Sequence, residues 1–171
     1  MKNSEETTTI SVLVENRPGV LNGITSLLLR RGFNIESISA GTAELEDLVR
    51  ITIAMKGDER IIDQVVKQLG KLVYILSVSE LEPQKTVTRE LALVKVNTSD
   101  PAARSDVINY TEIFKAHVID VAHETLIVEI TGDSEKIDAF IGLMKPFGVR
   151  QIARTGVTAL PRGAPSTQSQ N

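Results

Sequence analysis

The sequence of 171 residues contains no cysteine and no tryptophan, and aromatic residues make up only 4% of it. Without cysteine there is no disulfide framework, no thiolate nucleophile and no Cys-ligated metal. The absence fits a reducing compartment. Scarce aromatics and a net charge of -3 argue against a base-stacking, phosphate-binding surface, so no nucleic-acid partner is expected. No apolar run approaches the roughly 18 residues that suggest a membrane span. The first six residues are polar and acidic, unlike a signal or transit peptide, so a cytoplasmic protein is expected. The two histidines, His117 and His123, flank one short predicted strand at a spacing that matches no metal motif.

What remains is an ordinary globular composition, 42% hydrophobic and 24% charged. The most informative stretch is Glu15-Asn16-Arg17-Pro18-Gly19-Val20-Leu21. Residues 9–14 before it alternate and are β-branched, which predicts a strand. After it, Val20, Leu21, Ile24, Leu27 and Leu28 recur at helical spacing. Pro18 suits a first helical turn, where a missing N–H costs nothing. Gly19 lets a ligand approach the backbone without meeting a Cβ. The remaining N–H groups at the positive end of the helix dipole suit a carboxylate or phosphate.

The pattern continues with an extended segment over 33–44, a strand over 48–55, a helix capped by Asp58 and a strand over 72–78. The order is βαββαβ. Polar residues with a proline at 81–87 predict a linker, after a first domain at 8–80. The order then repeats over 88–160: a strand at 90–96, a helix started by Asp100-Pro101, strands at 118–121 and 126–130, a helix capped near Asp133, and an extended end broken at Gly156. Residues 161–171 predict a disordered tail. The fold class is α+β, two ferredoxin-like sandwiches in tandem.

Catalytic groupings are scarce. Glu44, Glu46 and Asp47 fall in a turn, where solvation accounts for them better than acid–base work does. Small acylphosphatases of this topology use an arginine after the first strand and a later asparagine, which Arg17 and Asn34 superficially match. Pro18, however, removes one of the N–H donors that such a phosphate loop needs. RNA-recognition modules share the element order, but residues 48–55 contain no aromatic. A pocket for a free amino acid fits better. N–H groups around Gly19 to Leu21 suit its carboxylate.

Asn16-Arg17-Pro18-Gly19-Val20-Leu21 resembles the ACT domain, the amino-acid-sensing module of metabolic enzymes. Residues 31–37 (RGFNIES), 68–73 (QLGKLV), 89–96 (RELALVKV) and 152–156 (IARTG) extend the resemblance to the small regulatory subunit of acetolactate synthase. The resemblance runs from about residue 8 to residue 160. It implies a non-catalytic chain whose N-terminal ACT domains pair into a larger sheet and bind valine, or leucine or isoleucine, at their interface. It implies a homodimer or higher homo-oligomer that joins the large catalytic subunit, which holds thiamine diphosphate, Mg²⁺ and FAD, while this chain binds no cofactor. It further implies activation of that subunit and feedback inhibition in branched-chain amino acid biosynthesis. The pocket-like turn of the first half is absent from the matching turn, Asn97 to Pro101, so activation is expected from the second domain. The implied effector residues are Asn16, Gly19, Val20, Leu21, Asn34 and Ile35: N–H groups around Gly19 to Leu21 for the carboxylate, the amide oxygens of Asn16 and Asn34 for the ammonium, and Val20, Leu21 and Ile35 for an apolar slot. Taken singly, Asn16 also reads as a helix cap, Gly19 as a turn residue and Asn34 as the start of a strand. Pro18 stands where some members have Ser.

Overall fold

The computed structural model describes residues 7–163. The elements are β1 (Thr7–Glu15), α1 (Val20–Arg30), β2 (Asn34–Thr42), β3 (Leu48–Lys56), α2 (Glu59–Leu69), β4 (Ile75–Leu81), β5 (Thr86–Asn97), α3 (Pro101–Ile113), β6 (His117–Val121), β7 (Thr125–Gly132), α4 (Ser134–Met144), β8 (Val149–Arg154) and β9 (Thr158–Pro161). They fall into two units. Among the described residues, one holds 7–87 together with 157–163; the other is Thr88–Gly156. Each repeats the ferredoxin-like βαββαβ order, with antiparallel sheets β2-β3-β1-β4 and β6-β7-β5-β8.

Alternation in β1 turns Ile10, Val12 and Val14 to one face, opposite Ile53, Ile51 and Val49 of β3. Ile24 and Leu28 of α1 and Ile62, Val65 and Leu69 of α2 close that core. The second unit builds its own core from Val94, Val96, Val128 and Ile130 under Ile137, Phe140 and Met144. Three of the four helices begin at an aspartate whose carboxylate takes a backbone N–H three residues on. Asp58 accepts from Ile61 at 2.9 Å, Asp100 from Ala103 at 3.0 Å and Asp133 from Lys136 at 2.9 Å. The fourth, α1, starts at Gly19 with no side-chain cap.

Some boundaries differ from the sequence pattern. The expected strand at 72–78 is β4 at Ile75–Leu81. Leu72 and Tyr74 do pack on the core, but from a turn closed by Leu72 N–H to Leu69 O and Ile75 N–H to Leu72 O, both 3.0 Å. The expected linker at 81–87 is ordered chain. Leu81 is buried, Pro83–Lys85 forms one 3-10 turn, and Thr86 is buried at the start of β5. Contacts divide the chain at Gly156, four residues before the expected end at 160, and β9 beyond that point pairs with β5. Gly156 turns the chain at φ +77°, and β9 then packs within the first unit, where Ala159 is buried and the Thr158 and Ser39 hydroxyls lie 3.0 Å apart. The expected tail therefore begins inside β9, which ends at Pro161. From residue 164 on, that expectation falls outside the described residues.

Gly23 on α1 fits because the Tyr74 hydroxyl fills the place a Cβ would take. Gly23→Ala is therefore expected to destabilise the chain by about 1–3 kcal/mol, despite alanine's better helix propensity. Tyr74→Phe in the same chain is expected to recover part of the loss, as read by urea denaturation.

Candidate functional site

The turn between β1 and α1 is held by backbone. Glu15 N–H donates to Tyr74 O at 3.0 Å, Asn16 N–H to Asp47 O at 2.7 Å, and Arg17 N–H to Glu15 O at 2.9 Å. The Asn16 amide nitrogen reaches Glu46 O at 3.4 Å, which leaves its oxygen as an acceptor. The β2–β3 hairpin thus carries two of the carbonyls that fix the turn, those of Glu46 and Asp47. Its acids read as mere solvation in the sequence, and backbone partners of this kind leave no mark on residue type. Arg17 folds back to an ion pair with Glu15 at 2.5 Å.

Gly19 lies in the left-handed region at φ +87°, with open space where a Cβ would be. The first N–H groups of a helix have no partner within it. At α2, α3 and α4 an aspartate supplies one; at α1 no side chain does. Val20 N–H makes only a long 3.4 Å bond to Arg17 O. The Val20 side chain is buried in the core, whereas Leu21 is half exposed beside the turn. This end of α1 can accept a carboxylate against backbone donors and an apolar group against Leu21.

Asn34 and Ile35 lie elsewhere. Asn34 pairs with Lys56, and Lys56 pairs with Thr7, so Asn34 shares the end of the sheet where β1 begins. Asn16 follows the other end, where Glu15 pairs with Leu48. Eight residues of strand, about 26 Å, separate the two ends. Within one chain the structure groups Asn16, Gly19, Val20 and Leu21, and holds Asn34 and Ile35 apart from them. The same separation parts Arg17 from Asn34 and removes the acylphosphatase arrangement. Nor do the middle strands β1 and β3 carry an aromatic for base stacking.

Beside Asn34, Glu36 accepts from the Thr7 hydroxyl at 2.7 Å and pairs with Lys56 at 2.8 Å. The Lys56 bond, with help from Thr7, holds its carboxyl below the usual range. Among the described residues no cluster of three metal-ligating side chains occurs, and no helix is long and apolar enough to cross a membrane.

Two family models match the chain: an acetolactate synthase small-subunit-like ACT domain over residues 10–77, and the small subunit of acetolactate synthase over residues 89–163. The probable acetolactate synthase small subunit of Methanothermobacter thermautotrophicus is 49% identical over 93% of this chain and 95% of its own length. The chain belongs to the acetolactate synthase small-subunit family. The Mycobacterium bovis small subunit is 44% identical over 94% of this chain and 95% of its own. The crystal structure of the Thermotoga maritima small subunit superposes with a TM-score of 0.87 at 41% identity, covering 93% of this chain and 99% of that one. Membership makes the chain a regulatory subunit, partner to a catalytic subunit and not itself the enzyme.

Glu36, with a lowered carboxyl pKa, contributes stability that is present above the ordinary carboxylate range and lost as pH falls through its folded value. Glu36→Gln is expected to lower stability at pH 7 and to differ little from the unmodified chain near pH 3, as measured by urea denaturation at both pH values.

Proposed function

We propose that two copies of this chain join along their β2 edges and bind a branched-chain amino acid, valine, leucine or isoleucine, between them. One observation carries the reading: the two asparagines suited to one ammonium group sit at opposite ends of the same sheet. β2 is an edge strand and runs parallel to β1, two places away. An isologous pairing sets the second copy's β2 antiparallel to the first. Asn34 and Ile35 of that copy then arrive at the end where Gly19 begins α1. Each of two equivalent sites takes its turn from one copy and its β2 residues from the other.

The chemistry supports this assignment. The uncapped N–H groups after Gly19 suit the carboxylate, and the oxygens of Asn16 and of the other copy's Asn34 suit the ammonium. Leu21, with the other copy's Ile35, suits an aliphatic side chain. A slot of this kind separates methylene homologues by only about 1–3 kcal/mol, so the three amino acids overlap as effectors. The ligand favours the joined arrangement through its higher affinity for it. The catalytic subunit, with thiamine diphosphate, Mg²⁺ and FAD, performs the reaction in the cytoplasm. This chain binds none of those groups; its second unit activates the catalytic subunit, and its first confers feedback inhibition.

In Gly19→Asp the new Cβ meets no atom within 4 Å, the φ of +87° strains the backbone, and the added carboxylate competes for the N–H groups at the start of α1. With the catalytic subunit present, it is expected to raise the valine concentration for half-inhibition by about tenfold or more while activation persists. Gly19→Asn, of similar shape and without charge, is expected to fall between. Normal valine inhibition of the Gly19→Asp assembly would contradict the assignment.

A further inference from the structure

On the face of the first sheet away from its helices, alternation sets out a field of hydroxyls. Ser11 pairs with Thr52, and Thr52 with Ser39. Above them, a cavity of about 460 Å³ opens between the β2–β3 hairpin and β9, with Thr158, Ala159 and Leu160 forming one wall. Its surface is mostly apolar, from Ala40, Ala43 and Leu160 among others. This size and character suit a small ligand held by a few polar groups.

Two opposite charges line the same cavity. Arg50 Nη2 lies 2.7 Å from a Glu44 carboxylate oxygen, and its Nη1 lies 3.4 Å from the Ser11 hydroxyl. The guanidinium has further N–H groups to offer, since arginine carries five. A backbone hydrogen bond within Glu44, then the bond from Arg50, holds the Glu44 carboxyl below its usual range, so it is ionised at neutral pH. A plain carboxylate approaching Arg50 meets repulsion from Glu44, and a plain amine meets it from Arg50. A zwitterion meets neither. Its carboxylate faces the guanidinium and its ammonium the glutamate, and no charge is left unmatched against the apolar wall.

We propose that this cavity is a second site on the regulatory unit, which takes a free α-amino acid with a small apolar side chain. Arg50 holds the carboxylate, Glu44 the ammonium, and Ala40, Ala43 and Leu160 face the side chain. The site is complete within one chain and does not depend on the site at Gly19.

Calorimetric titration of the intact Gly19→Asp chain with each of the twenty proteinogenic L-amino acids reads the cavity apart from the turn. At least one small apolar amino acid is expected to bind once per chain, with a Kd of about 1 mM or tighter. Its des-amino carboxylic acid is expected to bind about tenfold or more weakly, and so is the amino acid itself after Arg50→Gln or Glu44→Gln. Thermal melts establish that each variant is folded. If Gly19→Asp does not fold, the same two charge variants in the unmodified chain are expected to remove one of two classes of site. Absence of binding by all twenty, or binding that both charge variants leave unchanged, would overturn the proposal. Loss of all binding on Gly19→Asp, with Arg50→Gln still binding, would overturn it while sparing the site at the turn. Binding that Gly19→Asp leaves intact and Arg50→Gln abolishes would do the reverse.

Discussion

Strand direction is the constraint on which the functional reading depends. β1 and β2 each pair antiparallel with β3, so they run parallel, and a residue after the end of β1 is a strand's length from one at the start of β2. No side-chain rotation spans about 26 Å. A ligand that uses Asn16 and Asn34 together must draw them from two copies. Binding then reports on how copies are joined, which is what a regulatory subunit needs: effector and assembly become linked by thermodynamic necessity.

The second physical feature is a missing cap. Both units build the same corner after their first strand, where Asn16 N–H donates to Asp47 O and Thr98 N–H donates to Glu124 O, each at 2.7 Å. In the second unit Asp100 then fills the start of α3. In the first, Gly19 turns into α1 left-handed and leaves the donors open. One scaffold thus occurs twice, and one aspartate separates a closed helix start from one able to receive an anion. A cap uses N–H groups that an anion would otherwise need, and the two halves differ in whether a side chain supplies it.

Much of this was legible in the sequence. The aspartate caps, the alternating strands and the amphipathic helices follow from local chemistry, so the repeated βαββαβ order did too. Residue type also pointed to the turn at Gly19. What stayed hidden depends on pairing across distance. Nothing in the spacing of Asn16 and Asn34 tells which end of a sheet each occupies. The carbonyls of Glu46 and Asp47 that hold the turn belong to backbone, which residue identity does not reveal. Thr158, Ala159 and Leu160 read as a last extended segment, and no local pattern shows that they also line a cavity with β2 and β3. Leu72 and Tyr74 alternate as a strand does, yet they reach the core from a turn.

Mixed dimers measure the central claim most directly. Differently tagged Gly19→Asp and Asn34→Ala chains are co-expressed, the dimer holding one of each is isolated, and its valine binding is compared with that of both parents and of the unmodified dimer. If each site joins the turn of one copy to β2 of the other, the mixed dimer gathers both substitutions into one site. The other site is left intact, with half the inter-copy capacity of the unmodified dimer, while each parent keeps at most the binding that Arg50→Gln removes. A mixed dimer that binds no valine, or a parent that binds it fully, would contradict the account.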